Sequence, residues 1–254
     1  MKESPKNSGA LEGQLTAAYV LNGLLEKAKE QSAAENLAHK TAAQDAQNAY
    51  EAFNNAMKHI EKARDFVSPT NLHNVLGSGP TKHGEIAEQV EVCVTNARQV
   101  IRKLPEIANI DNVPRTGAVD YDINGIPIQS KFYNNAERTL EQGVLEHLSK
   151  YPNFASDANL YGYPDKAGIY HIPKDQYETL LQIKNGGYIE GLRGTTQEKI
   201  RNSILSLEER TGKDFSEVVR PSISKYSEVQ INTVEKNLDG HEESLKEYNK
   251  NEIK

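Results

Sequence analysis

Asp120, Gln129 and Lys131 fall within one stretch of twelve residues and combine a carboxylate, an amide and an ammonium group. Carboxylate and amide oxygens are ligands for hard cations such as Mg²⁺. We therefore expect Asp120 and Gln129 to present their oxygens to one shared ion, provided that the local fold places them side by side. Lys131 would then lie one step further along the same surface.

The residues around this stretch predict a β-hairpin. Asn124 and Gly125 lie between two runs of β-forming residues, and this pair is typical of a type I′ turn because both of its positions need a positive φ. Such a turn sets the register, so that Asp120 faces Gln129 with Cβ atoms about 5 Å apart. The alternate face should pack on a core and comprises Val119, Tyr121, Ile123, Ile126, Ile128 and Ser130. From the residues alone, an ordinary amphipathic hairpin with a solvated polar face stays open as the alternative.

Helical segments flank the hairpin at both ends of the chain. Residues 1–67 are rich in helix-forming residues, and their apolar residues recur every three or four positions, so we predict two helices that form an antiparallel hairpin. Residues 191–254 are again charged and helical. The intervening residues 68–190 should form the core with the sheet. The predicted fold class is therefore α+β, with a mixed-sheet core, flanking helices, and helical N- and C-terminal segments.

Three further helices are predicted inside the core and at its end. The apolar pattern over residues 86–104 predicts the first, which Pro105 ends. The second covers about residues 136–148. A third begins near Pro173, because proline suits the first turn of a helix.

Length and composition limit the classes of function. A chain of 254 residues can form one sizeable core with accessory elements, or two small domains. The net charge of -6 gives no general attraction to nucleic acids, so any nucleic-acid binding must come from a local patch. Cys93 is the only cysteine, which excludes an intramolecular disulfide and a cysteine-rich zinc site. Its apolar neighbours predict a thiol packed in the core of a protein from a reducing cytosol.

Several sequence signals are missing. The chain has no basic flank followed by an apolar run at its start and no apolar stretch of about 18 residues. It also has neither a phosphate loop of the Gly-x-x-x-x-Gly-Lys-Ser/Thr type nor a Gly-x-Ser-x-Gly elbow. We therefore expect a cytoplasmic protein without a membrane span, and neither an ATPase nor a common serine hydrolase.

The hairpin resembles the PD-(D/E)XK nuclease superfamily, in particular the branch of type IV restriction enzymes of the Mrr kind. There an acidic residue on one strand is followed, after a turn, by Gln-x-Lys on the next, as in Asp120 and Gln129-Ser130-Lys131. The superfamily also places a glutamate on the preceding helix. Residues 83–89, His-Gly-Glu-Ile-Ala-Glu-Gln, are similar to that helix opening in Holliday-junction resolvases and Mrr-type enzymes. The resemblance covers residues 82–133, about a fifth of the chain.

This resemblance implies a restriction-endonuclease-like mixed sheet and a metal-dependent DNA endonuclease, the effector of a bacterial defence or restriction-type system. The residues that would carry the chemistry are Glu88, Asp120, Gln129 and Lys131. Asp120, Gln129 and Glu88 would bind Mg²⁺ or Mn²⁺, which activates a water and neutralises charge on the scissile phosphate. Lys131 would orient that water or stabilise the transition state.

Two further residues of the same helix opening are candidates for the site. Glu85 is an alternative to Glu88 as the helical carboxylate, and His83 is a possible member of the site. The neutral amide of Gln129 replaces the acidic residue that is usual in the superfamily. Metal affinity is therefore the property that this replacement would lower.

DNA, the implied partner, would need a basic groove. Between Thr81 and Tyr151 there are eight Lys or Arg against ten Asp or Glu, so a groove requires cations that converge in space. The candidates are Lys82, Arg98, Arg102, Lys103, Arg115 and Lys131. The alternative function is a catalytically inactive nuclease-like fold that serves as a helical adaptor or structural subunit. In either case the thin apolar stripes of the terminal helices predict packing on the core, self-association or binding to a protein partner.

Overall fold

The computed structural model describes residues 8–72, 82–110, 117–158 and 162–252, with side chains described from residue 19 onward. The chain forms two compact units, one that extends to Tyr50 and one that runs from Glu51 to Glu252. The predicted hairpin and all of its neighbours in the sheet belong to the second unit.

The N-terminal region is one helix, α1 (Ser8–Val67), and not the predicted pair of antiparallel helices. The prediction of a helical hairpin is therefore wrong. Residues 24–67 contain neither glycine nor proline, so nothing in that stretch ends a helix, and Gly23 is tolerated inside it at a cost of about 1 kcal/mol. Within the first unit, residues 19–47 are all exposed.

The second unit is an α+β arrangement of strands and mostly short helices. Its strands are β1 (Ala108–Asn109), β2 (Tyr121–Ile123), β3 (Ile126–Ser130), β4 (Ile169–Ile172) and β5 (Val219–Pro221). Its helices, besides the end of α1, are α2 (Pro69–Leu72), α3 (His83–Val100), α4 (Ala136–Arg138), α5 (Glu146–Lys150), α6 (Lys174–Lys184), α7 (Gly194–Thr211), α8 (Phe215–Val218) and α9 (Val234–Glu252). A π-helical turn (Thr139–Leu145) joins α4 to α5, and a 3₁₀ turn (Tyr226–Glu228) precedes α9.

The five strands form one mixed sheet in the order β1-β2-β3-β4-β5. The first three strands are antiparallel, whereas β4 is parallel to both β3 and β5. Parallel neighbours need long crossover connections, which here contain the helices α4 to α8. The mixed sheet with flanking helices confirms the α+β fold class at this level of detail.

The predicted register of the hairpin is confirmed. Tyr121 pairs with Ile128 and Ile123 pairs with Ile126, with Asn124 and Gly125 as the turn. Both turn residues have positive φ, 53° and 70°. This conformation is the one that a type I′ turn requires, and it explains why Asn-Gly stands at this position.

Helices cover both faces of the sheet. On one face, Tyr121 and Ile128 pack with Val92 of α3, and a neighbouring apolar cluster joins α3 to the end of α1 and to α9. The predicted apolar face is therefore confirmed at Tyr121 and Ile128. Val119 departs from it and packs in the cluster on the opposite face, because β2 begins only at Tyr121 and the alternation does not extend before it.

The opposite face is covered by the helices α4 to α8. Tyr170 and Ile172 of β4 are fully buried there among apolar residues of these helices. The predicted helix over residues 86–104 is observed as α3, but it ends at Val100, so the prediction that Leu104 lies on its buried face and that Pro105 ends it is wrong; Leu104 is exposed after a turn at Lys103. The helix near Pro173 is α6, and the stripe of Ile200, Ile204 and Leu207 is the buried face of α7. Within the described residues, no helix has the length and the apolarity that crossing a membrane requires.

The C-terminal segment packs on the same unit as the sheet. Leu238 of α9 is fully buried, and Arg64 near the end of α1 forms ion pairs of 2.6–2.7 Å with three carboxylates of α9. Those carboxylates belong to Glu235, Asp239 and Glu242. The division of the chain after Tyr50 thus differs from the predicted boundaries after residues 67 and 190, because the end of α1 and α9 pack with α3 in the unit that contains the sheet.

A buried amide closes the free edge of the sheet at β1. Asn96 of α3 is 4% exposed, and its Oδ1 accepts hydrogen bonds from the backbone N–H groups of Ile107 (3.1 Å) and Ala108 (2.9 Å). Its Nδ2 donates to the carbonyl oxygen of Ala108 at 2.8 Å. The side chain therefore satisfies backbone groups that an edge strand otherwise leaves unpaired, and it fixes α3 to β1.

Replacing Asn96 with alanine should lower the free energy of unfolding by about 2 to 4 kcal/mol, because it leaves buried backbone groups without partners. Urea unfolding at neutral pH measures the change. The control is Asn202→Ala on the exposed side of α7, which should change stability by no more than about 0.5 kcal/mol. Equal effects of the two substitutions would contradict this role of Asn96.

Candidate active site

The sheet holds Asp120 and Lys131 at the open end of the hairpin. Asp120 directly precedes β2, and its N–H donates to the carbonyl oxygen of Ile128 at 2.8 Å. Lys131 directly follows β3, and its N–H donates to the carbonyl oxygen of His171 on β4 at 2.8 Å. Both residues thus have backbones fixed by neighbouring strands, which restricts where their side chains can lie.

Asp120 and Gln129 are in direct contact, as the register predicted. Gln129 Nε2 donates to Oδ2 of Asp120, and the backbone N–H of Ser130 donates to the same oxygen at 2.8 Å. Both bonds end on Oδ2 rather than on Oδ1. The carboxylate is thereby oriented by one side chain and one backbone group of β3.

The other end of the Gln129 amide has no partner among the described residues. Gln129 is 4% exposed, and its Oε1 atom is buried without a hydrogen bond. A buried acceptor in this state costs free energy unless a water or a cation binds it. An amide oxygen beside a carboxylate is a donor set that fits a hard cation.

The pKa of Asp120 is raised above its ordinary value, first because the carboxyl group is buried. The charge of Lys131 and the two hydrogen bonds to Oδ2 lower it, whereas the charge of Glu85 raises it. The charge of Glu85 on α3 thus extends to Asp120. The neighbourhood of Asp120 is therefore a buried one with a second carboxylate and one cation.

The pKa of Lys131 is lowered, also first because of burial. The charges of Asp120 and Glu88 oppose this shift and favour the ammonium form, whereas the charge of Lys150 adds to it. The charges of both predicted α3 carboxylates therefore influence this pair, Glu85 through Asp120 and Glu88 through Lys131. Their spacing of three residues puts them on the same face of the helix.

His83 fixes the start of α3 to the end of the hairpin. Its Nε2 donates to the carbonyl oxygen of Phe132 at 3.1 Å, and its ring packs edge-on against Tyr226 at 4.9 Å. Burial lowers the pKa of His83. These contacts assign His83 to holding the start of α3 against the end of the hairpin.

The segment from α4 to α5 packs against the polar face of the hairpin, so that face is not the solvated one of a simple amphipathic hairpin. Contact is closest at Gly143 in the π-helical turn, where a Cβ atom would lie 3.0 Å from Cβ of Lys131 and 3.2 Å from Cε2 of Tyr133. π-Helical turns often occur at functional sites. This contact was not predicted from the sequence. The sequence feature that indicates it is Gly143, a glycine inside a helix-forming segment.

A second group that sequence analysis missed lies on α5. The hydroxyl of Tyr170 is hydrogen-bonded to Nδ1 of His147 at 2.8 Å, and Tyr170 pairs with Gln129 across β3 and β4. Burial and the charge of Lys131 lower the pKa of His147 to about 3. His147 is therefore neutral at physiological pH. Its spacing from Gly143 and from Lys150, four and three residues, is the helical signal that could have indicated this face.

A buried polar network lies on the α3 side of the sheet. Glu91 accepts hydrogen bonds from the hydroxyl of Ser222 and from the N–H of Ile223 at 2.9 Å. Its Oε1 lies 3.6 Å from Nδ1 of His171, which also contacts the hydroxyl of Tyr121 at 3.0 Å. The network ties α3 to β2, β4 and the end of β5. These contacts restrict the movement of α3, the helix that contains Glu85 and Glu88, relative to the sheet.

Most of the cations predicted to form a DNA groove are not gathered around Lys131. Arg98 contacts His241 at 3.4 Å and Arg102 lies over the ring of Tyr248 at 5.9 Å, so both face α9. Arg98 is ten residues from Glu88, which is about 15 Å along α3. Lys82 donates to the carbonyl oxygen of Leu72, Lys103 lies in the turn after α3, and Arg115 is outside the described residues.

In the parts of the chain that the structure describes, no group of three or more His, Cys, Asp or Glu side chains is placed to hold a metal ion. A cation at the hairpin would therefore depend on the amide of Gln129 as well as on carboxylates. No family model matches the chain, and comparisons with curated proteins and with solved structures gave no significant match.

Gly143→Ala should destabilise the protein by about 1 to 3 kcal/mol, because the added methyl group meets the backbone-fixed Cβ of Lys131. Urea unfolding measures the change. Gly240→Ala is the matched control, since Gly240 is also helical and a Cβ there has nothing within 4 Å. That substitution should stabilise α9 by about 0.5 to 1 kcal/mol. If both variants were stabilised alike, the close approach at Gly143 would be refuted.

Proposed function

We propose that this chain is a metal-dependent nuclease that hydrolyses phosphodiester bonds of DNA at the open end of the hairpin. The observation that carries the proposal is the buried, unpartnered Oε1 of Gln129 next to the Asp120 carboxylate. Rotation of the amide about its last torsion exchanges its nitrogen and oxygen. Gln129 could thereby turn from a hydrogen-bond donor to Asp120 into a second oxygen ligand beside it.

The residues available fit a hard cation. Asp120, Gln129 and Glu85 would hold Mg²⁺ or Mn²⁺, because all three offer oxygen atoms and Glu85 is the α3 carboxylate whose charge acts on Asp120. When bound, the ion lowers the pKa of a water and neutralises charge on the scissile phosphate. With a single neutral amide in place of a carboxylate, we expect modest metal affinity.

Lys131 would supply the positive charge that the transition state needs. Burial favours its neutral amine, but the charges of Asp120 and Glu88 favour the ammonium form. In this assignment Glu88 acts through Lys131: it keeps the lysine protonated beside the phosphate. A fixed ammonium group in a partly buried site stabilises developing negative charge more strongly than one in water.

The order of elements supports the same proposal. The helix with Glu85 and Glu88 comes first, then the strand after Asp120, then the strand with Gln129, which Lys131 follows. The two strands pair in one mixed sheet, and the helix packs on it. This is the order that the resemblance to Mrr-type and Holliday-junction nucleases implies. A cytoplasmic role in a bacterial defence or restriction-type system follows from that resemblance and forms part of the proposal.

The second candidate function is a helical adaptor without catalysis. It is favoured by large apolar side chains exposed on α1, where Tyr19 is 84% and Leu21 is 70% exposed. Such a surface suits self-association or a protein partner. The adaptor role predicts that substitutions at Asp120 and Lys131 leave the biochemical behaviour unchanged, whereas the nuclease role predicts the opposite.

Asp120→Ala and Lys131→Ala should each reduce cleavage of DNA by about a hundredfold or more, because each removes a charge that the reaction uses. The measurement is the cleavage rate of supercoiled plasmid and of a linear duplex with Mg²⁺ or Mn²⁺. Asp122→Asn is the matched control in the same hairpin. The carboxylate of Asp122 accepts hydrogen bonds from the N–H of Gly125 and the hydroxyl of Tyr163, and asparagine retains an acceptor oxygen.

The control variant should cleave at close to the rate of the wild-type protein. Equal rates in all four proteins would show that the hairpin does not catalyse the reaction. No cleavage by the wild-type protein with either metal would overturn the nuclease proposal and favour the adaptor role.

Gln129→Glu should tighten binding of Mg²⁺ about tenfold, because a second carboxylate replaces the neutral amide; this corresponds to about 1.4 kcal/mol. In the absence of metal the same variant should melt below the wild-type protein, since two carboxylates then repel each other in a buried place. Thermal unfolding with and without Mg²⁺ measures both effects.

The control for added charge is Gln44→Glu, at an exposed position on α1. It should leave both the melting temperature and its response to Mg²⁺ unchanged. A Gln129→Glu variant whose Mg²⁺ response equals that of the wild-type protein would rule out Gln129 as a metal ligand.

A further inference from the structure

A row of aromatic and basic side chains leads from the hairpin to the end of α5. It starts at Tyr170, which pairs with Gln129 across the sheet and whose hydroxyl is hydrogen-bonded to His147. The ring of His147 lies 4.7 Å from the ring of Tyr151, and Nζ of Lys150 lies 5.0 Å from the centre of that same ring. The row therefore ends in an exposed lysine that is held over an aromatic face.

Lys150 lies on the helix face that meets Lys131, because it follows Gly143, which packs against Lys131, by seven residues, or about two turns and roughly 10 Å. Its positive charge lowers the pKa of Lys131 and the pKa of His147. His147 itself is neutral at physiological pH, because its pKa is lowered to about 3. Lys150 is thus the charged member of the row on the side of Lys131.

The charge balance of the hairpin site leaves a role for this second lysine. Asp120, Glu85 and Glu88 contribute three negative charges to the surroundings of the site. Lys131 is the cation among the residues assigned to the reaction. A polynucleotide brings a negative charge on every phosphate, and binding to it depends on lysine and arginine contacts. The arginines of α3 that could have supplied these contacts face α9 instead.

Lys150 supplies positive charge at a helix end where the backbone alone would repel a phosphate. The carboxyl end of a helix carries partial negative charge, which repels phosphate unless a cation is placed there. Lys150 is the last residue of α5, and its side chain extends into solvent over the ring of Tyr151. A phosphate that approaches the hairpin along α5 would therefore meet this ammonium group.

We propose that Lys150 binds a backbone phosphate of the nucleic-acid substrate next to the scissile one, so that the strand runs from the hairpin along the end of α5. This inference rests on the proposed nuclease function and extends it. Lys150 is a substrate-binding residue in this assignment, and Lys131 remains the residue at the reacting phosphate.

The test uses the full chain and a fluorescein-labelled DNA duplex. Lys150→Gln should raise KM about five- to tenfold and leave kcat within about twofold, because it removes a contact that ground state and transition state share. The plot of log Kd against log salt concentration should become shallower by about 0.9, the value for the loss of one phosphate contact on duplex DNA. Lys150→Arg should retain the wild-type slope.

The control is Lys236→Gln, which removes an exposed lysine from α9 and should change neither KM nor the salt slope. If the wild-type protein cleaves DNA while Lys150→Gln matches it in KM and slope, the role of Lys150 is refuted and the nuclease function stands. If the wild-type protein neither binds nor cleaves DNA with Mg²⁺ or Mn²⁺, both proposals fail together. A lower kcat with unchanged KM and slope would also refute the role of Lys150 as a phosphate-binding residue.

Discussion

The antiparallel pairing of β2 with β3 is the constraint on which the rest of the structure depends. A shift of one residue would move every side chain of the hairpin to the opposite face. In the observed register Tyr121 and Ile128 are buried against α3, and Gln129 contacts Asp120. The same pairing therefore builds the apolar contact that holds α3 and the polar contact at the candidate site. The Asn124-Gly125 turn enforces it through its two positive φ angles.

The candidate site combines charge with burial, and the two oppose each other. Burial raises the pKa of Asp120 and lowers that of Lys131, so each charged form is disfavoured by its surroundings. Their mutual attraction offsets part of this, and so does the bond from Gln129. Perturbed groups of this kind cluster at functional sites, although structural ion pairs also produce them. The unpartnered oxygen of Gln129 calls for a partner from outside the chain, either a water or a cation.

Two helical segments place the remaining groups around the hairpin. α3 brings Glu85 and Glu88, and it is held by His83 at its start and by the buried Glu91 in its middle. From the other face, the segment with Gly143 approaches Lys131 so closely that a larger residue would collide with it. The positions of these side chains therefore follow from contacts made by residues that have no chemical role themselves.

The sequence by itself determined the hairpin, its register, the contact of Asp120 with Gln129, and the helices α3, α6 and α7, because each follows from turn chemistry or from periodicity within a few residues. Only the tertiary structure decided which face each helix buries, that Arg98 and Arg102 face α9, and that α5 meets the hairpin. Those contacts join residues far apart in the chain, so they cannot be predicted from patterns among neighbouring residues. The predicted pair of N-terminal helices was wrong for a related reason. A thin apolar stripe indicates that a helix packs on some partner, but a helical hairpin also needs a turn that ends the first helix. Residues 24–67 contain no glycine or proline that would end it.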